Sequence, residues 1–208
     1  VFSQRGKDGA GNITVANTIV NIYTPLTSNA AATTVLNVGS TAGFAAGDLI
    51  MIIQMQGASV NATKAYFIDT TMTLPQDTSM GYVTNYNQSG NYEFAQINAI
   101  LNASSMALDC NISKNYTSAG RTQVIRVPRY TTLTISGAGY LTCPAWNGST
   151  GGVLAVESQS NTVMNSTPSF SVIGKGFRGG GVENRTTGFG TKWGSTNPRE
   201  GGYKGESI

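Results

Sequence analysis

The chain has 208 residues, of which 39% are apolar and only 11% are charged, and it contains no histidine. This length and apolar content suffice for one large core or two small ones, so the chain is globular and not disordered. The lack of histidine excludes Ser-His-Asp and Cys-His catalysis and the usual imidazole ligands of zinc, and a net charge of +3 is too small to favour nucleic-acid binding.

Helices are not expected anywhere in this composition. Thr, Ser, Asn and Gly are abundant, and no window of about 15 residues combines strong helix formers with a 3.6-residue apolar period. The longest apolar stretch, residues 44–55, is interrupted by Gly47, Asp48 and Gln54 and is far shorter than the roughly 20 residues of a membrane-spanning helix. We therefore predict an all-β protein that does not span a membrane. The start at Val1, with no methionine or apolar leader, is typical of a processed secretory protein or of a trimmed chain.

The first part of the chain contains short β-branched and apolar runs separated by turn residues. These runs cover residues 34–38, 49–53, 81–87, 91–101, 106–112 and 123–127. The runs 81–87 and 91–101 alternate polar and apolar residues around a turn with Gly90, which predicts a hairpin. We expect residues 1–128 to form a β-sandwich or small barrel.

The spacing of the β runs changes after Pro128. Three short β runs, at residues 132–135, 152–156 and 169–173, follow one another at intervals of about 17–21 residues and are separated by Gly, Asn, Ser and Pro. Such spacing is found in parallel β-solenoids, whose rungs bury their apolar faces by stacking on each other. We therefore predict that residues 129–208 begin a glycine-rich parallel β-solenoid, with a continued antiparallel sandwich as the alternative.

Cofactor and metal chemistry finds no support in the motifs. The triplet Gly179-Gly180-Gly181 lacks the Lys-Ser/Thr that completes a phosphate-binding loop. Cys110 and Cys143 are too far apart for a metal-ligand pair, and they form either one disulfide or two separate buried thiols. We expect no cofactor and no metal site.

Acidic residues are also too sparse for a hydrolase. No Asp occurs after Asp109, and the last 80 residues contain only isolated glutamates, so a pair of catalytic Asp residues on successive solenoid rungs cannot be built. We expect no catalytic residues and predict that the protein is not an enzyme.

Three aromatic residues are candidates for glycan contact. Trp146 stands in a loop beside Asn147 and is either a sugar-stacking platform or a plug at the end of a β structure. Trp193 and Tyr203 lie in the tail, residues 175–208, which carries six basic and three acidic side chains. Aromatic and cationic side chains together suit an acidic polysaccharide.

A set of motifs also runs in order along the chain: GDLIMIIQMQGA at 47–58, GNYEF at 90–94, VIRVPRY at 124–130, PAWNG at 144–148 and GFRGG at 176–180. Together they resemble the amino-terminal region of large surface proteins of Bacteroidetes. Proteins of that group are commonly exported by the type IX secretion system, and some are adhesins linked to gliding motility.

The resemblance implies a secreted, multidomain protein whose β region passes into a longer solenoid, truncated here because residues 201–208 show no capping element. It implies an extracellular location at the cell surface, with secretion machinery or outer-membrane proteins as partners. We therefore predict a non-enzymatic, adhesin-like surface protein. The alternatives are an extracellular polysaccharide-binding or polysaccharide-processing β-solenoid and a self-assembling surface filament subunit.

Overall fold

The computed structural model describes residues 4–60 and 83–179, and every regular element in those ranges is a β-strand. The all-β prediction is confirmed. Within the same ranges no helix is long and apolar enough to cross a membrane. The strands are β1 (Gly11–Ile13), β2 (Thr18–Ile19), β3 (Ile22–Pro25), β4 (Val35–Asn37), β5 (Leu49–Gln54), β6 (Ser59–Val60), β7 (Val83–Asn85), β8 (Tyr92–Asn102), β9 (Ser105–Leu108), β10 (Thr122–Val127), β11 (Arg129–Tyr130), β12 (Leu133–Ile135), β13 (Leu141–Thr142), β14 (Glu157–Ser158) and β15 (Thr162–Met164).

Six of these strands form one antiparallel sheet in the order β3-β10-β5-β8-β9-β4. The sheet curls until its two edge strands meet at a bridge between Leu26 and Val38. The Thr27 N–H donates to the Asn37 carbonyl at 2.9 Å beside that bridge. The result is a barrel-like sheet, since contact between the edges leaves few backbone groups of the edge strands unpaired.

The interior of the barrel-like sheet is filled by side chains that alternate along the strands. In β5 the side chains of Ile50 and Ile52 point inward and are fully buried, and they pack in one core cluster with Val124 of β10, Leu36 of β4 and Met106 of β9. Every second side chain of β5 is thus buried in the core, and such burial of β-branched residues favours a strand in the centre of the sheet. The outer face of the same sheet carries the intervening residues and needs a separate cover.

The remaining strands include a set of parallel pairs. β12 pairs in parallel with both β1 and β15, β11 pairs with β14, and β13 pairs with β2. Leu133 is opposite Thr162, 29 positions later, and Arg129 is opposite Glu157, 28 positions later. Parallel strands with a constant offset are typical of stacked rungs, although the continuous solenoid over residues 129–208 stays a prediction.

Three details of the predicted strands are wrong. Residues 152–156 are not a strand, and in the run 169–173 only Phe170 forms a bridge, to Leu141. The predicted hairpin is also not formed, because β7 pairs with β6 while β8 pairs with β5 and β9. The interval between paired strands is therefore 28–29 residues and not 17–21.

The predicted division of the chain at residue 128 stays a prediction. Two strands from the first part, β1 and β2, pair with β12 and β13 from the second part. The strands of the barrel-like sheet thus come after β1 and β2 and before β12 and β13 in the sequence, although β1 and β2 pair with β12 and β13 in the fold.

A network of charged side chains joins the start of the chain to both groups of strands. Asp48, at the beginning of β5, accepts from Lys7 Nζ at 2.5 Å and from Arg126 Nε at 3.0 Å. Arg126 also pairs with Asp8, whose other carboxylate oxygen accepts from the Arg129 backbone N–H at 2.7 Å. The charges alternate along the network, so each buried charge has an opposite neighbour.

Asp48 is the most deeply placed carboxylate of this network. Its burial alone would raise its pKa, but hydrogen bonds from Lys7, Arg126 and the Ala45 amide outweigh burial and hold the pKa of Asp48 below its ordinary value. A carboxyl group whose pKa is lower in the folded state stabilises the fold above its unfolded pKa, and this contribution is lost as the pH falls toward the folded pKa.

We expect Asp48→Asn to lower the free energy of unfolding by about 3 kcal/mol at pH 7, because it leaves two cations near a neutral partner. The difference from the wild type should begin to shrink as the pH falls below about 4, where the carboxyl group takes up a proton in the unfolded chain, and should keep shrinking toward the lower folded-state pKa of Asp48. Urea unfolding between pH 7 and pH 3 measures both effects. Asp109→Asn is the control and should change little, because Asp109 is exposed and the new amide keeps an oxygen that can accept the hydrogen bond from Gln96 Nε2. A difference for Asp48→Asn that does not vary with pH would contradict the assignment.

A second prediction concerns the turn that precedes β13. A Cβ atom at Gly139 would lie 2.3 Å from the Ile13 carbonyl oxygen of β1, which accepts from the Ser136 N–H. Gly139→Ala should therefore push β1 away from the turn and cost about 1–3 kcal/mol in urea unfolding. Gly176→Ala is the matched control, since no atom of residues 4–60 and 83–179 lies within 4 Å of the added Cβ. Equal unfolding midpoints for both variants would show that this contact does not hold β1 in place.

Candidate binding groove

One irregular segment, residues 151–156, lies across the outer face of the barrel-like sheet, and we call it the cover segment. Its first residue is held by the buried Gln123 of β10. Gln123 Nε2 donates to the Gly151 carbonyl and Gln123 Oε1 accepts from the Gly151 N–H, both at 2.9 Å. A side-chain amide here replaces the two hydrogen bonds that a neighbouring strand would have made.

The same kind of attachment recurs two and four residues later. Tyr23 Oη donates to the Val153 carbonyl at 2.6 Å, while Asn21 donates to the Ala155 carbonyl at 2.5 Å and accepts from the Ala155 N–H at 3.3 Å. Burial, with a smaller effect of Cys143, raises the pKa of Tyr23. Its hydroxyl therefore stays protonated and donates over the whole physiological pH range. Side chains, and not a strand ladder, hold this segment, which is why it is not a strand.

The cover segment leaves part of the outer face open as a groove of about 740 Å³. Leu49 of β5 and Val127 of β10 are neighbours in the sheet register and provide its buried wall. The groove is predominantly apolar, as is usual for ligand sites. Its lining residues are Leu49, Phe94, Val127, Gly152, Leu154, Ala155, Val156, Glu157, Phe170 and Val172.

Two exposed aromatic side chains of β8 stand at the open side of the groove. Phe94 lines the groove and is 42% exposed, and Tyr92 beside it is 51% exposed. Their rings meet edge to face with centroids 6.4 Å apart. Lys114 Nζ lies 5.3 Å from the centre of the Tyr92 ring, within the range of a cation–π contact. Exposed neighbouring aromatic rings of this kind are more common at binding sites than elsewhere on a surface.

Among the described residues that line the groove, Glu157 is the one acidic residue. Its carboxylate accepts from Arg5 Nε at 2.9 Å and from Arg129 Nε at 2.5 Å. Its partial burial favours a higher pKa, but the two arginines outweigh this and hold the pKa of Glu157 below its ordinary value. The carboxylate is therefore charged at neutral pH and compensated by neighbouring cations.

Of the three residues that the sequence suggested for glycan contact, only Trp146 lies among the described residues. Trp146 is buried, and its ring meets Phe177 edge to face at 5.7 Å, so it fills the interior and offers no face to a sugar. Trp193 and Tyr203 lie outside the described residues. Cys110 is exposed, Cys143 is buried, and both are free thiols, so the disulfide that the sequence permitted is not formed.

Sequence reasoning missed the residues that form the groove. Tyr92 and Phe94 lie two apart in β8, with Glu93 between them on the other face, and this alternation already placed two aromatic rings side by side. The tethers from Asn21, Tyr23 and Gln123 left no signal, because polar residues within strands have no fixed partner until the chain is folded. Among residues 4–60 and 83–179, no group of three His, Cys, Asp or Glu side chains could hold a metal ion.

No family model and no curated protein matches the chain. Among solved structures it is similar to the Gp54 tailspike of Acinetobacter baumannii bacteriophage AP22 in complex with A. baumannii capsular saccharide, at 11% identity and a TM-score of 0.36, over 65% of this chain and 24% of that chain. It is also similar to the tailspike protein gp49 from Pseudomonas phage LKA1, at 14% identity and a TM-score of 0.33, over 66% of this chain and 22% of that chain. A third similar structure is the Pseudomonas phage phi297 tailspike gp61, at 12% identity and a TM-score of 0.33, over 76% of this chain and 22% of that chain. The chain spans less than a quarter of the length of each tailspike, and similarity this low transfers no function.

Proposed function

We propose that this chain is a non-catalytic recognition module of a surface protein and that it binds polysaccharide in the groove beside the cover segment. The observation that carries the proposal is the open apolar groove with Phe94 on its wall and Tyr92 at its side. A pyranose ring has an apolar face of C–H groups that packs against an aromatic ring, while its hydroxyl groups stay in contact with water at an open site. A groove also suits a chain of sugars better than a closed pocket does.

The charges of the groove support binding without catalysis. A glycoside hydrolase needs a general acid with a raised pKa and a second carboxylate on the other side of the bond. Glu157 has a lowered pKa and two arginine partners, and no other carboxylate in the described part of the chain lines the groove. We therefore propose that the module holds its ligand and leaves the glycosidic bonds intact.

An extracellular location and an adhesin-like role belong to the same proposal. Contact with a polysaccharide at a surface would give an adhesin its attachment point, and several such modules in a longer protein would add their affinities. Export by type IX secretion and a Bacteroidetes origin stay predictions from the sequence motifs.

We expect the full chain to be retained on at least one of a panel of immobilised bacterial and plant polysaccharides. Phe94→Ala should raise the dissociation constant about tenfold, because it removes the aromatic wall of the groove. A tenfold change corresponds to a loss of about 1.4 kcal/mol of binding free energy. Affinity electrophoresis in gels that contain the retained polysaccharide measures the dissociation constant.

Tyr86→Ala provides the matched control, since Tyr86 is 61% exposed and does not line the groove. Thermal unfolding of both variants checks that the fold is kept, which is expected for exposed positions. Retention of Phe94→Ala equal to that of the wild type, or no retention of the wild type on any polysaccharide, would contradict the proposed function.

A further inference from the structure

From Val153 to Val156, every second backbone carbonyl of the cover segment accepts a hydrogen bond. Gly151, Val153 and Ala155 are tied to side chains of the barrel-like sheet. Between the first two, the Gly152 N–H donates to the Pro144 carbonyl at 2.9 Å. Leu154 and Val156 have no hydrogen-bond partner for either backbone N–H or C=O among the described residues. Both residues line the groove and both are only half-buried. The side of the segment that faces away from the tethers therefore offers two donors and two acceptors.

Such backbone groups are strong hydrogen-bonding groups, and partly buried ones are normally paired. Here they stand next to apolar side chains, Leu49 and Val127 among them. Of the groove's described lining residues only Glu157 is charged, and two arginines already compensate its charge. A complementary ligand is therefore uncharged and brings an amide-like donor and acceptor together with an apolar group. Hydroxyl groups alone fit less well, because those directed at Leu49 and Val127 would lose water without gaining a partner.

We propose that the groove selects acetamido sugars, that is, polysaccharides built from N-acetylated hexosamines. The acetamido N–H and C=O would pair with the free backbone C=O and N–H of Leu154 or Val156, and the methyl group would pack against the apolar wall. The sugar ring would lie against Phe94. This inference rests on the proposed polysaccharide-binding function and adds the class of sugar to it.

The sharpest test compares two oligosaccharides that differ only in this group. The two compounds are tetra-N-acetylchitotetraose, called chitotetraose from here on, and cellotetraose. Both have β-1,4 linkages, and only chitotetraose carries acetamido groups. Titration calorimetry on the full chain should give at least about tenfold tighter binding of chitotetraose, equivalent to about 1.4 kcal/mol.

A variant of the apolar wall sharpens the comparison. Val172→Thr replaces a methyl group by a hydroxyl group of similar size at a groove residue that is 49% exposed, and it should reduce the preference for chitotetraose. Val163→Thr makes the same change at a residue of β15 that is 40% exposed and does not line the groove, and it should leave the preference unchanged.

The outcomes separate the two proposals. Equal binding of both tetrasaccharides would overturn the selection of acetamido sugars and leave the proposed function standing. Binding of neither would also overturn the selection of acetamido sugars. If, in addition, no polysaccharide of the panel retained the chain and an extended apolar hexapeptide bound, both proposals would be overturned, since the free backbone groups would then serve to add a peptide strand. An equal loss of preference in Val172→Thr and Val163→Thr would also overturn the inference, because the effect would not come from the groove.

Discussion

The fold depends on the surroundings of one buried cation, Arg129. Its side chain is 1% exposed and donates to Glu157 at 2.5 Å and to Gln96 at 3.3 Å, while its backbone N–H donates to Asp8. These partners belong to three different places, namely β14 of the parallel strands, β8 of the barrel-like sheet and the segment before β1. A buried charge must be paired, so these three parts can pack only in the arrangement that brings their polar groups to Arg129.

This arrangement creates the groove. Since Glu157 is fixed beside Arg129, the residues before it must run across the outer face of the barrel-like sheet, where Gln123, Tyr23 and Asn21 hold alternate backbone groups. The cover segment is narrower than the sheet below it, so the apolar face continues past it toward β8 and stays open at Phe94. The open surface and the unpaired backbone groups of the segment thus share one origin, which is attachment by side chains in place of a strand ladder.

The sequence contained the fold class and little of the site. Composition and β-branched runs such as residues 49–53 predicted an all-β chain correctly, because burial of alternate side chains is a local property. The 17–21-residue interval was wrong since it counted residues 152–156 as a rung, and an apolar run has the same appearance whether backbone or side-chain hydrogen bonds hold it. The groove could not be predicted because its walls come from β5, β8, β10 and the cover segment, which meet only in the folded chain.

We propose that a saccharide lies in the groove between the barrel-like sheet and the cover segment. The most direct test is an NMR titration of the isotope-labelled chain with chitotetraose, in which backbone and methyl shifts are followed for each residue. We expect the largest changes at the amides of Leu154 and Val156 and at the side chains of Phe94 and Val172. Changes that cluster on another surface, or no changes at millimolar saccharide, would contradict it.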